Sequence, residues 1–173
     1  MTEEPPSQAS STEILTPEGA SFRSVLGHFA TGITVITAMD GDEPVGIAAN
    51  SFTSVSLDPP LVLFCAAQSS STWPRIQRAG HFMVNVLDEH QEHICRLFAQ
   101  KGADRFGQIA WEATERGPVL HDVHAWLDCT IEAEHEAGDH VIVVGRVHEI
   151  GLTADAGPLL FYQGRYGRLL GSD

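Results

Sequence analysis

The sequence predicts an antiparallel β-barrel, mainly β, with a few peripheral helices. Short segments rich in β-branched residues recur along it, separated by Gly, Asp and Pro turn chemistry. Strands and helices never alternate regularly, as they would in a doubly wound parallel sheet, so a barrel is the economical outcome. With 173 residues, 43% hydrophobic and 19% charged, the chain suits one domain with one sizeable core.

Residues 1–19 combine Glu3, Glu4, Pro5, Pro6 and a Ser10-Ser11-Thr12 run with little apolar content. That composition predicts a disordered tail ahead of a folded domain at residues 20–170. Phe22, Val25, Leu26, Phe29 and Ala30 then share one helical face, and Gly32 stands where that helix would stop. Ile33-Thr34-Val35-Ile36-Thr37 is β-branched throughout, and Asp40-Gly41-Asp42 turns the chain into a second strand at residues 45–50. Asp58-Pro59-Pro60 removes two N–H donors and interrupts the chain, after which residues 61–65 read as a strand apolar on both faces.

Ser71 or Thr72 can cap a short helix through Trp73, Pro74, Ile76 and Ala79, because first-turn N–H groups lack intrahelical partners and Pro74 is tolerated there. Gly80 would end it. Residues 81–87 return to strand character, and residues 88–99 set Ile94, Leu97 and Phe98 on one helical stripe. Residues 101–123 show no dominant period. Residues 127–136 alternate apolar and polar positions, Gly138-Asp139 makes a turn, and residues 141–150 are strongly β-branched, together a long hairpin. Residues 159–166 supply a last strand, giving about seven strands and three short helices.

Composition also excludes several function classes. The longest wholly apolar run, residues 61–67, falls far short of the roughly 18–20 residues a membrane helix needs. The start of the chain is acidic and Ser/Pro-rich rather than basic then apolar, so a soluble cytoplasmic protein without a membrane partner is expected. Cys65, Cys95 and Cys129 are odd in number and widely spaced, with no CxxC pair, and read as buried free thiols. A formal charge of −13, with Lys101 the single lysine and no Lys/Arg cluster, argues against nucleic-acid binding by counterion release. A nucleotide cofactor remains open, because net charge is screened within about 10 Å while backbone N–H groups and a few arginines act locally.

The familiar catalytic motifs are absent: no GxGxxG follows a strand, and neither GxxxxGK[ST] nor GxSxG occurs. His90 and His93, beside Glu89 and Glu92, allow a metal pair, but no further ligand stands at usable spacing and a solvated helix face is the simpler reading. His140 follows the Gly138-Asp139 turn, from which its ring can reach a cleft or simply the surface. Ala48-Ala49-Asn50-Ser51-Phe52-Thr53-Ser54-Val55-Ser56 sets hydroxyls and an amide beside small residues at a strand exit. Small residues let backbone N–H groups approach a ligand closely, although an ordinary Ser/Thr turn fits the spacing equally well. Ser69-Ser70-Ser71-Thr72, ahead of Trp73, adds helix-start N–H groups of the kind that bind anions.

Thr31-Gly32-Ile33-Thr34-Val35-Ile36-Thr37, Ala49-Asn50-Ser51-Phe52, Ser54-Val55-Ser56-Leu57-Asp58-Pro59-Pro60-Leu61, Phe82 with Val84-Asn85-Val86-Leu87, Gly138-Asp139-His140 and Leu160-Phe161-Tyr162-Gln163-Gly164-Arg165-Tyr166 occur in that order. Together they resemble the flavin reductase-like family, the small reductase components of two-component flavin monooxygenases. The resemblance runs from about Phe22 to Arg168. It implies a split β-barrel that forms a homodimer and binds FMN or FAD near the dimer interface, with NADH or NADPH docking over the isoalloxazine.

By the same resemblance, Ala48, Ala49, Asn50, Ser51 and Phe52, with Ser54, Val55 and Ser56, would hold the isoalloxazine edge, ribityl chain and phosphate. Cys65, Ala66 and Ala67 would line the ring, and Ser71, Thr72 and Trp73 would meet the phosphate or adenosine side. Phe106, after Asp104-Arg105, would close over the flavin. His140, Tyr162 and Tyr166 would lie nearer the nicotinamide, with His140 positioning it. The implied activity is hydride transfer from NADH or NADPH to flavin, which supplies reduced flavin to a separate monooxygenase and needs orientation rather than an acid–base dyad. No Arg cluster marks a 2′-phosphate site, which favours NADH. The same scaffold also suits a reductase that keeps its flavin and serves another acceptor, or a flavin- or haem-binding protein without turnover.

Overall fold

In the computed structural model of the chain, residues 14–100, 102, 104–153 and 157–169 are described, and most of the expected tail, residues 1–13, lies outside them. The strands are β1 (Thr31–Gly32), β2 (Thr34–Asp40), β3 (Glu43–Ala49), β4 (Thr53–Leu57), β5 (Pro60–Ala67), β6 (His81–Val86), β7 (Trp111–Ala113), β8 (Pro118–Leu120), β9 (Ala125–Ala137), β10 (His140–Leu152), β11 (Leu160–Tyr162) and β12 (Arg165–Gly167). The helices are α1 (Gly19–Leu26), α2 (Trp73–Ala79) and α3 (Glu92–Ala99), with a single 3-10 turn at Phe106–Gln108. Among the described residues, no helix is long and apolar enough to cross a membrane.

Seven strands form one antiparallel sheet in the order β3-β2-β6-β9-β10-β5-β4. Two tight hairpins organise it, β2–β3 around Gly41 and β9–β10 around Gly138, whose φ values of 65° and 67° are the left-handed conformation glycine adopts without strain. β10 carries register shifts at Val144/Gly145 and Val147/Glu149, and such bulges increase local twist and help a sheet curl. A Cβ on Gly145 would fall 2.5 Å from Phe82 Cζ, which explains a glycine in an otherwise β-branched strand.

The curled sheet buries apolar side chains on both sides. Inside the barrel, Ile36, Val62, Phe64, Phe82, Val84 and Val143 pack with Trp73 and Ile76 of α2. Phe64 meets Phe82 and Trp73 edge to face at 5.3 and 5.8 Å. A fully buried Phe contributes on the order of 1.5–3 kcal/mol. On the outer side of the sheet, Val35 of β2 and the preceding Ile33 pack with Ile94, Cys95 and Phe98 of α3 and with Leu87, Leu120 and Leu159. Asn85 crosses this layer fully buried: its amide donates to Val35 O and Thr37 Oγ1, and its Oδ1 accepts the Leu120 N–H at 2.8 Å.

Several expectations are corrected. β2, rather than β5, is buried on both faces, because α3 covers the outside of β2; on β5 only Val62, Phe64 and Ala66 point into the core, and Leu61, Leu63, Cys65 and Ala67 are half-buried outside. The Ser54–Ser56 segment is an edge strand, β4, rather than a turn. Helix α1 stops at Leu26, before Phe29 and Ala30. The last strand is a small hairpin, β11–β12, turning at Gln163 (φ 48°) and Gly164 (φ 75°), the paired left-handed residues of a type I′ turn. Thr72 makes no side-chain cap on α2, and Ser70 Oγ instead accepts the N–H groups of Thr72 and Trp73 at 3.3 and 3.2 Å. Within residues 101–123, β7 and β8 pair as a short hairpin that no periodicity announced.

Candidate functional site

β3 and β4 are the two edges of the seven-stranded sheet, and residues 50–52 carry the chain directly from one to the other. The barrel is therefore open along a seam where neither edge has a ladder partner among the described residues. Ser51 stands at the seam: its Oγ accepts the Cys65 N–H at 2.9 Å and lies 3.4 Å from the Cys65 carbonyl. That contact comes just beyond the last β4–β5 rung, Thr53 opposite Leu63. A side chain thus extends the pairing of β5 where the backbone ladder ends.

The register of β5 on β10 sets Cys65 opposite Ile142 and Ala67 opposite His140. The Gln68 N–H bonds to Asp139 O at 3.0 Å, so the Gly138-Asp139-His140 turn lies against the start of the Gln68–Thr72 connection. Ser51, Cys65, Ala67 and His140 are thereby gathered around the C-terminal end of β5, and the connection that leaves it carries Ser71 and Thr72. His140 Nδ1 is 2.7 Å from Asp139 Oδ1, and this hydrogen bond, with the nearby charges of His140 and Arg23, holds the Asp139 carboxyl below its usual range. A carboxylate only accepts, so Nδ1 carries the hydrogen and Nε2 is left for another partner.

Two cavities are lined by further residues expected at the site. One, about 200 Å³, is lined by Ile33, Ala48, Ala49, Asn50, Cys95, Phe161 and Tyr166. The Tyr166 hydroxyl donates to Cys95 Sγ at 3.4 Å, and the Arg96 guanidinium lies 4.7 Å over its ring. Burial, reinforced by Cys95, pushes the Tyr166 hydroxyl up to about 12, so it stays protonated. The other cavity, about 290 Å³, brings Thr72 and Phe106 together with Gly46, Arg75 and Arg105. Phe106 stands edge-on to Phe98 and Trp111 at 5.3 and 5.6 Å.

Not every expected residue offers its side chain here. The Trp73 indole is core, 4% exposed against Phe64, and Ala66 points into the barrel, so neither side chain lines the cleft. Phe52 packs on the same core from the seam. Ser54, Val55 and Ser56 run along edge strand β4. Tyr162 is exposed beside His28, 6.1 Å between ring centroids, and lines neither cavity. Sequence reasoning missed Cys95, Phe161 and Arg105; Arg105 directly precedes Phe106, but nothing local marked it as a wall of the cavity. His90 and His93 open on a separate cavity of about 520 Å³ with Asp88 and His121, and no metal-binding trio of His, Cys, Asp or Glu forms among the described residues.

An antiparallel barrel opened along one seam between β3 and β4, with Ser51 bonded to β5 there, is a split barrel. Residues 26–170 match the family described as flavin reductase like domain, and the chain belongs to that family. A flavin reductase of Pseudomonas putida is 47% identical over 148 residues, covering 84% of this chain and 87% of that protein. The reductase subunit of a flavin-dependent monooxygenase from Rhodococcus jostii is 45% identical over 146 residues, covering 84% of this chain and 75% of that protein. The solved structure of an NADH:FAD oxidoreductase of Streptomyces globisporus, in complex with NAD and FAD fragments, matches with a TM-score of 0.87 at 38% identity, covering 92% of this chain and 98% of that one.

Proposed function

We propose that this chain is a flavin reductase that transfers a hydride from NADH to FMN or FAD and supplies the reduced flavin to a separate flavin-dependent monooxygenase. The observation that carries the reading is the meeting of Ser51, Cys65, Ala67 and His140 around the end of β5, beside strand edges that lack ladder partners among the described residues. Flavin, when bound, accepts the hydride, so the protein's part is orientation and electrostatics. The half-buried strip of Cys65 and Ala67 offers a smooth wall to a planar ring, and Asn50 and the free backbone groups of the seam supply polar partners for its edge. Thr72 and Phe106 share the cavity suited to the ribityl and phosphate end. His140 offers Nε2 to the nicotinamide nucleotide, and Tyr166 keeps its proton.

The molecule works as a homodimer in this reading. Helix α1 buries none of its residues, and Phe22, Val25, Leu26 and Phe29 are 52, 55, 54 and 75% exposed. An eight-residue helix is marginal in water without tertiary packing, so a second copy is the natural cover for this face. Free Cys65, Cys95 and Cys129 suit a reducing cytoplasm. The test is NADH and NADPH oxidation by the purified chain with and without FMN, FAD or riboflavin. Turnover that depends on added flavin is the expected result, and flavin binding without turnover would replace the enzyme by a binding protein.

A further inference from the structure

We propose that the cavity beside the β7–β8 turn binds an organic cation, best a planar guanidinium on a short alkyl stem. The cavity, about 280 Å³, is walled by Trp126 and Asp128 of β9, Glu149 of β10, Met83 of β6 and the Glu115-Arg116 turn between β7 and β8. Strand register builds it: Asp128 stands opposite Met83 on one side and Glu149 on the other, and Trp126 stands opposite Gly151. Cross-strand partners share a face of the sheet, so the two carboxylates and the indole open on the same hollow. A Cβ on Gly151 would collide with the Trp126 ring, so the bare glycine backbone is what lets the indole lie there. None of these residues belongs to the flavin or nicotinamide site proposed above.

Charge is out of balance in this hollow. Like charges directly opposite each other on neighbouring strands repel, and Asp128 and Glu149 are such a pair. Glu115 adds a third carboxylate, and Arg116 is the one cation lining the cavity. Arg116 reaches Asp128 alone: its Nη1 lies 3.0 Å from Oδ2, without the direction of a hydrogen bond. Among the described residues, neither Glu115 nor Glu149 has a cation within 4.0 Å. Asp128 is 6% exposed, and its Oδ1 is buried with no hydrogen-bond partner. A buried carboxylate oxygen left unsatisfied is costly, and a positively charged donor answers both deficits at once.

The donor set decides the class of ligand. Among the described residues no trio of His, Cys, Asp or Glu is placed to hold a metal ion, so the missing charge belongs to an organic group. A guanidinium can give one N–H to Asp128 and another to Glu149, because its rigid fork presents several donors at once. Its flat, weakly hydrated face suits the Trp126 indole, and its alkyl stem suits Met83. Such a group reaches the hollow either as a free small molecule or on an arginine side chain of another protein.

The competing explanation is that Arg116 alone balances Asp128 and the hollow is an aqueous notch. In the full chain, the Trp126 indole N–H resonance in a heteronuclear NMR spectrum, assigned by its loss in Trp126→Phe, separates the two. Titration with n-butylguanidinium is expected to move that resonance saturably, whereas n-butylurea, its uncharged analogue, should leave it in place. Glu149→Gln, a change at an exposed position that the fold tolerates, should weaken n-butylguanidinium about tenfold, the loss of one charge-assisted hydrogen bond. Asp128→Asn should weaken it at least as much. A Gly-Arg-Gly peptide with blocked ends that binds more tightly than n-butylguanidinium would place the cation on a partner protein; equal or weaker binding would make it a free molecule, and either result supports the site. An unmoved resonance, an equal response to n-butylurea, a tighter response to magnesium chloride, or unchanged affinity in both carboxylate variants would each overturn the assignment.

Discussion

His140 and Ser51 are held in different ways, and the difference separates their expected roles. Among the described residues the His140 ring hydrogen-bonds only to the exposed carboxylate of Asp139, a contact worth little to stability, so its proposed role lies on the ligand side. His140→Ala is expected to raise the KM for NADH with flavin affinity near normal; steady-state kinetics with KM and kcat both unchanged would remove the role. Ser51 is bonded to the Cys65 backbone, so Ser51→Ala should cost about 1 kcal/mol of stability and a comparable amount of flavin affinity. Lowered stability with unaltered flavin binding in a fluorescence titration would make it a structural stitch alone. Burial pushes the Cys129 thiol up to about 12 from an ordinary 9.0. The neutral thiol therefore contributes stability that is complete below about pH 9 and is lost as pH rises toward 12. Cys129→Ala should flatten that part of the alkaline decline in denaturant unfolding; an unchanged slope would assign the decline to other groups. Arg105 was not legible in the sequence because whether an arginine is paired depends on distant residues, as Arg75 with Asp40 shows.

At the scale of elements, hydrophobic periodicity located α1, α3, the β2–β3 hairpin and the β9–β10 hairpin, whose turns carry glycine at the position that needs it. It failed where local chemistry was unusual. Gln163 in a left-handed conformation hides the β11–β12 turn, since Asn, Asp or Gly is the usual signal there. β4 was hidden because Thr53-Ser54-Val55-Ser56-Leu57 is polar enough for a turn, and only its pairing with β5 makes it a strand. α1 is a true amphipathic helix whose apolar side has no partner in one chain. Phe22→Ser combined with Leu26→Ser should shift the protein toward monomer in analytical ultracentrifugation without changing its far-UV circular dichroism; an unaltered dimer would place the interface elsewhere. Gly145→Ala should destabilise by about 1–3 kcal/mol, because the new methyl presses on fully buried Phe82. Thermal unfolding at the wild-type midpoint would show that the bulge absorbs it.

For the molecule as a whole, six of the seven main-sheet strands were readable, but edge strand β4 was not, residues 159–166 belong to a separate small sheet, and the strand order was not legible. β9 and β10 insert between β6 and β5, joining segments 39 or more residues apart, a choice made by burying both faces of the sheet rather than by any local pattern. The same folding brings both ends of a sequence-distant site together, Ser51 to Cys65 and His140 to Ala67. The open seam between β3 and β4 has a further consequence. Outward-facing amides along its two edges have no ladder acceptor among the described residues, so they should exchange with solvent deuterium quickly while the central strands β6 and β9 are slow. On the proposed placement of flavin at the seam, its arrival should be recorded as slowed exchange confined to that opening, a map of occupancy drawn by the backbone itself.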